Sequence, residues 1–149
     1  MTVIHAPMIL SPGYPELGDG KYGLRAAIPQ AETWIGEGAD FADGFEPVEG
    51  EPVVQGRVGA SAFVGSDLKQ ILDDHGITTI YLAGFATHVC IESTMRHGHD
   101  LAYDVVVLRD ACAAFIDEQD AYFDEHVLHH FAHAKPVEKF VAKMQTPQL

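Results

Sequence analysis

Apolar residues fall in short runs between glycines and prolines, and the character of those runs changes near residue 52. Residues 3–6 (VIHA) predict a short buried strand stopped by Pro7. From about Pro7 to Gly50 no regular period emerges; Trp34 and the segment AETWIGEGADFADGF predict one short helix at most. Loops this long in compact domains tend to be functional or to make subunit contacts. From Pro52 the pattern becomes regular. Val53 and Val54 begin a short strand that ends in the glycine-rich GRVGAS. Ser66 is a suitable N-cap for a helix over Asp67 to His75, with Leu68, Ile71 and Leu72 on one face and Gly76 closing it. TTIYLAGF is a continuous apolar run, which predicts a strand buried on both faces and broken at Gly84. A helix follows from about His88 to Asp100, DVVVLRD predicts a second buried strand, residues 117–133 a helix, and KPVEKFVAKM a further short helical segment. Strands alternating with helices predict an α/β fold with a mainly parallel sheet.

Composition narrows this picture. A chain of 149 residues with 47% hydrophobic content is expected to fold as one domain with its own core. No apolar run approaches the roughly 18 residues that a membrane span needs. The opening MTVIHAPMIL has neither the basic region nor the apolar core of an export signal, so a cytoplasmic location is expected. Cys90 and Cys112 fall in different predicted elements and form no C-x-x-C pair, which fits free thiols in a reducing compartment. With 22 Asp and Glu against 9 Lys and Arg, the net charge of −13 would repel a phosphate backbone and argues against nucleic-acid binding. Acidity otherwise serves solubility and names no substrate.

Candidate chemistry concentrates in GFATHVCIEST. In parallel α/β sheets ligands bind beyond the carboxyl ends of strands, where helices begin. Thr87 is a natural N-cap, which places Cys90 at the third helical position. Free backbone N–H groups and the helix dipole there favour a thiolate and could hold an oxyanion. A small buried hydrophobe is the plain alternative for such a cysteine.

The segments GFATHVCIESTMR and DVVVLRDACAA resemble the G-x-x-T-x-x-C signature and following strand of the isochorismatase-like cysteine hydrolases. VIHAPMIL, YPELGDGKYGL and GRVGASAFVGSDLKQILDDHGI resemble further family segments in the expected order, so the likeness runs through nearly the whole chain. The resemblance implies a three-layer α/β/α, Rossmann-like fold occupying 1–149 as a single domain, with Cys90 as nucleophile. It also implies a cis peptide at Phe85–Ala86 and an oxyanion hole formed by the Ala86 and Cys90 amides. His5, Phe85, Thr87 and His88 are expected to lie on the substrate side of the pocket.

Two departures stand beside these matches. The family opens with a central strand carrying D-x-Q, whose Asp is the general base; this chain begins at what resembles the second strand. The domain is therefore expected to be N-terminally incomplete, lacking the family's first strand and helix. The family Lys falls at Arg57, which keeps the positive charge but cannot exchange a proton near neutrality.

Other groups are read more plainly. His126, His129, His130 and His133 have the spacing of one helical face, but no Cys or clear carboxylate completes a zinc site, so a solvated face is expected. Cys112 is expected to pack, and Glu92 with Arg96 to form an i, i+4 ion pair. The expectation is a hydrolase of small-molecule amide or related C–N bonds, working through a thioester, without metal or cofactor, without nucleic-acid or membrane partner, and homo-oligomeric. The alternative is a catalytically impaired relative that serves as a binding or assembly protein.

Overall fold

The computed structural model describes residues 1–145, which form two compact units. The first comprises Met1–Gly59 and Val64–Ile71, the second Ala60–Phe63 and the chain from Leu72 onward.

In the first unit VIHA does not become a strand. His5 alone pairs with Val53 in an isolated parallel bridge, where the His5 N–H donates to Pro52 O at 2.9 Å and the Val54 N–H to His5 O at 2.8 Å. With one bridge and no continuing ladder, neither 3–6 nor 53–54 extends as expected. The long irregular segment holds more order than its composition suggests. Helix α1 (Leu24–Ala31) lies within it, with Pro29 inside, and two single turns of 3-10 helix cover Pro15–Leu17 and Gly36–Ala39. Ile28 of α1 joins Met8, Leu10, Tyr14 and Leu17 in a small buried cluster, flanked by Trp34 and Ile35. Helix α2 (Leu68–Asp74) begins in this unit and its last residues are counted with the second; it follows Ser66, whose Oγ accepts the Leu68 N–H at 3.3 Å. Gly76 closes that helix at φ +61°.

The second unit is built on a three-stranded parallel sheet in the order β1-β2-β3. Strand β1 is Thr79–Phe85, β2 is Asp104–Ala113 and β3 is His133–Lys135. The two long apolar runs therefore form adjacent strands. They register from Thr79 opposite Asp104 to Phe85 opposite Ala113, with an irregularity between Leu82 and Gly84. Gly84 does not end β1: at φ +130° it absorbs the irregularity and the strand continues through Phe85. Nor is β1 buried on both faces. It is an edge strand, in which Ile80 is buried while Ala83, Gly84 and Phe85 are exposed.

Helix α3 (Glu92–Asp100) packs on β2 and is entered through one wider, π-type turn at Thr87–Ile91. The expected helix over 117–133 is divided into α4 (Asp117–Tyr122), a second π-type turn (Phe123–Val127) and α5 (Leu128–Phe131). It stops before His133, which opens β3. Helix α6 (Val137–Gln145) follows and packs on β2. Val107, Met95 and Phe123 are among the most completely buried side chains, and they come from β2, α3 and the second π turn. The architecture is α/β with a parallel sheet.

Candidate active site

Strand β1 delivers the chain to the segment Phe85–Cys90, and the peptide bond between Phe85 and Ala86 is cis, as the resemblance implies. Ala86, extended at φ −100° and ψ 144°, is the N-cap of the helix that follows. Thr87 is thus the first helical residue, not the cap, and it makes no capping hydrogen bond. Cys90 accordingly sits one position deeper than expected, still within the opening turn.

That turn is wider than an α-helical one. The Ala86 carbonyl accepts from the Val89 N–H at 3.0 Å and from the Ile91 N–H at 3.2 Å, passing over the Cys90 N–H between them. The Glu92 N–H then bonds to both Thr87 O and Val89 O. Cys90 is a free thiol and is half-buried, not sealed in an apolar core.

Around this turn, Ala86 and Thr87 are buried, Phe85 is 58% exposed and His88 is half-buried. Two polar atoms on consecutive residues, Thr87 Oγ1 and His88 Nδ1, are buried without a hydrogen bond. Phe115, beyond the end of β2, meets both aromatic rings of the segment edge-on, at 4.9 Å from Phe85 and 5.4 Å from His88 between ring centres. Of the residues that the sequence reading singled out, Phe85, Ala86, Thr87, His88 and Cys90 lie together because they are contiguous. It missed Phe115.

It also missed a charged cluster at the carboxyl end of β2. Arg109 Nη2 donates to Asp120 Oδ1 at 2.6 Å, Arg109 Nε bonds to Asp124, and Arg109 Nη1 donates to Cys112 O at 3.2 Å. The Ala114 N–H donates to Asp120 Oδ2 at 3.0 Å. Burial of Asp120 works against its ionisation, but the Ala114 N–H, the Thr87 hydroxyl and Arg109 outweigh it and hold its pKa below the ordinary aspartate value. Thr87 lies on the turn against which α4, the helix of Asp120, packs. An Arg at the end of a buried strand, followed by acidic residues in the first turn of the next helix, is the signal that could have pointed to this cluster.

His5 and Arg57 belong to the first unit. His5 Nε2 and Glu51 Oε2 lie 2.7 Å apart, a contact that lowers the Glu51 pKa, and the His5 ring stands edge-on to Phe41. Arg57 is buried, with its Nε donating to Gly59 O at 3.0 Å and its Nη1 to Ala6 O. Within that unit Arg57 fastens two loop segments together.

The remaining candidates follow their plain readings with one exception. Arg96 Nη2 and Glu92 Oε1 pair at 2.8 Å, and the Arg96 guanidinium also lies 4.2 Å from the Phe131 ring centre. Cys112 is half-buried, and burial raises its thiol pKa above the ordinary value. His126, His129, His130 and His133 are all exposed, as expected of a solvated surface. They do not share one helical face, because His126 lies in the π turn and His133 in β3. Among the described residues no group of three or more such side chains could hold a metal ion, and no helix is long and apolar enough to cross a membrane.

The isochorismatase domain family matches residues 19–138, most of the chain and all of the cysteine turn. The chain belongs to this family. It is 30% identical over 115 residues to the uncharacterized isochorismatase family protein YrdC of Bacillus subtilis, covering 76% of this chain and 61% of YrdC. It is 38% identical over 87 residues to the ureidoacrylate amidohydrolase RutB of Methylobacterium radiotolerans, covering 56% of this chain and 33% of RutB. The crystal structure of an isochorismatase-like hydrolase from Alkaliphilus metalliredigens superposes with a TM-score of 0.67 at 33% identity, over 76% of this chain and 60% of the other. In each case this chain spans less than two thirds of its relative.

Proposed function

We propose that this isochorismatase family chain carries the nucleophile of a hydrolase that opens amide-type C–N bonds in small molecules. One observation carries the reading: Cys90 stands half-exposed on the opening turn of a helix, and the carbonyl that could have bonded its amide is bonded to the residues on either side. Free N–H groups at a helix start can receive an oxyanion that develops beside them.

The reaction follows from that placement. Cys90 Sγ, as thiolate, attacks the carbonyl carbon, and the developing oxyanion is received by the Ala86 and Cys90 amides. The C–N bond breaks, the amine leaves with the proton that the thiol gave up, and a thioester remains on Cys90. Water attacks that thioester, releasing the carboxylic acid and restoring the thiol. Each step transfers a proton or an acyl group, so the reading calls for no cofactor. Phe85 and His88 flank the substrate, Thr87 stands between them in the chain with its side chain buried, and Phe115 extends the aromatic side of the mouth. The amidohydrolase named among the relatives supports C–N bonds as the target. A homo-oligomer working in the cytoplasm completes the proposal.

The test is a panel of small carboxamides and ureido compounds, with intact-protein mass spectrometry in parallel. Turnover by the native protein, an acyl adduct on Cys90, and a loss of about a thousandfold or more in Cys90→Ala support the reading. Full turnover in Cys90→Ala overturns the mechanism. A protein that binds panel members without turnover or adduct is instead the binding protein of the alternative reading.

A further inference from the structure

The carboxylate of Asp120 gathers donors from two directions. Its Oδ1 accepts from Arg109 Nη2 at 2.6 Å and its Oδ2 from the Ala114 N–H at 3.0 Å, so both oxygens are tied to the end of β2. Arg109 is in turn braced by Asp124 and by the Cys112 carbonyl, which leaves it little freedom to release Asp120. Asp120 also belongs to α4, and α4 packs on the π-type turn that carries Cys90. Thr87 opens that turn. Its side chain is 0% exposed, and its hydroxyl has no completed hydrogen bond. Asp120 stands on the helix that packs against this turn, and the same hydroxyl favours its charged form.

A buried hydroxyl is costly when left unpaired and directional when paired. A carboxylate suits this position better than an amide would. It accepts from every side, whereas the amino group of an Asn would face one of the three donors.

We propose that Asp120 is a positioning residue for Cys90: anchored by Arg109 and the Ala114 N–H, it meets the buried Thr87 hydroxyl and so fixes the turn on which the thiol and its neighbouring amides are carried. The inference rests on the reading of Cys90 as nucleophile and adds the element that holds it in register. Arg109 acts through Asp120, and Asp120 through Thr87. Neither needs to touch a substrate.

Site-resolved alkylation tests this without a known substrate. The native chain, Thr87→Val, Thr87→Ser, Asp120→Asn and the Thr87→Val/Asp120→Asn double variant are treated with iodoacetamide across a pH series, and Cys90 and Cys112 are quantified separately by peptide mass spectrometry. The proposal expects Thr87→Val and Asp120→Asn each to slow Cys90 labelling about tenfold, and the double variant to be no slower than either, as for two groups in one chain of contacts. It also expects Thr87→Ser, which keeps the hydroxyl, to restore most of the rate. Labelling of Cys112 in Thr87→Val should stay at the native level.

An unchanged Cys90 profile in Thr87→Val overturns the proposal, as do fully additive losses in the double variant. Faster labelling of Cys112 in Thr87→Val does the same, because it would mean general loosening of the fold. Should Asp120→Asn fail to fold for want of an Arg109 partner, Thr87→Val leaves that ion pair intact and decides alone. The measurement is independent of turnover. If Cys90→Ala still hydrolyses the panel, the catalytic reading fails while the coupling of Asp120 to the cysteine turn is judged on labelling.

Discussion

The Ile91 N–H donates to the Ala86 carbonyl at 3.2 Å, across five residues where an α-helix would span four. This bond widens the opening turn of the cysteine helix. π-type turns occur mostly as single turns and frequently at functional sites. Here the widening turns on one named carbonyl, and its effect is to route main-chain bonding around Cys90.

Gly84 prepares this turn, and its substitution gives the first prediction. It lies at φ +130°, a conformation open to glycine and strained for other residues, where β1 loses register with β2. Space is not the obstacle: a Cβ there would meet only Ile91 Cδ1, at 3.8 Å. The cost of Gly84→Ala is therefore a backbone cost, expected to be about 1–3 kcal/mol of unfolding free energy. Urea denaturation checks it. An unchanged midpoint would show that the bulge relaxes without strain.

The lowered pKa of Asp120 gives a pH-dependent prediction. Although burial opposes ionisation, the Ala114 N–H, the Thr87 hydroxyl and Arg109 together favour the charged form in the folded protein. A depressed folded pKa means the unfolded chain binds the proton more readily. The resulting stability is fully present above the ordinary aspartate value, about 3.9, and is lost as pH falls through it toward the lower folded pKa. The melting temperatures of the native chain and Asp120→Asn should differ most near neutrality and converge as pH falls below about 4. A constant difference over that range would mean that the charge on Asp120 contributes nothing.

What could be read from residue order, and what could not, divides along physical lines. TTIYLAGF and DVVVLRD announced β1 and β2 because an apolar run of strand length needs no partner to be visible. β3, the polar triplet His133–Lys135, announces nothing; it is a strand because Val106, Val107 and Leu108 pair with it. α1 was hidden by Pro29, which reads as a breaker but falls in the last turn, where few later residues depend on it. The cysteine segment was legible because its residues are consecutive. The cap was misplaced by one residue because Thr is a strong N-cap by type, yet the turn here begins at Ala86. Asp120 was illegible as the centre of a charged cluster. Its bonds come from Arg109 and Ala114, at the end of a strand to which only folding brings it.

Cys112, the second thiol of the chain, gives a prediction of its own. Burial raises its pKa, and its Sγ lies 3.9 Å from the Leu82 carbonyl, a sulfur contact between β2 and β1. A raised thiol pKa leaves less thiolate at any pH below it, and the thiolate is the reacting species. Cys112 is expected to alkylate more slowly at pH 8 than a cysteine in an unstructured peptide, and to reach that peptide's rate only in denaturant. Equal rates in the native protein would mean that the strand pair opens freely at that point.

The seat of α3 on the sheet yields the last prediction. Gly98 is buried in the last turn of α3, and a Cβ there would lie 2.9 Å from Ile80 Cδ1, 3.4 Å from Val105 Cγ2 and 3.5 Å from Phe63 Cε2. Two effects oppose one another in Gly98→Ala. The helix gains up to about 1 kcal/mol from the better former, while the crowded interface loses about 1–3 kcal/mol. The closest contact is the far end of a flexible side chain, so a net loss of about 1 kcal/mol is expected. Ile80→Val removes the contacted methyl at a cost of about 0.5–1.5 kcal/mol on its own. If Ile80 Cδ1 is what Gly98 makes room for, Gly98→Ala/Ile80→Val will be more stable than the sum of the single losses allows. Chemical denaturation of the four proteins measures the coupling. Simple additivity would shift the burden to Val105 and Phe63, whose shorter reach or ring leaves less room to yield.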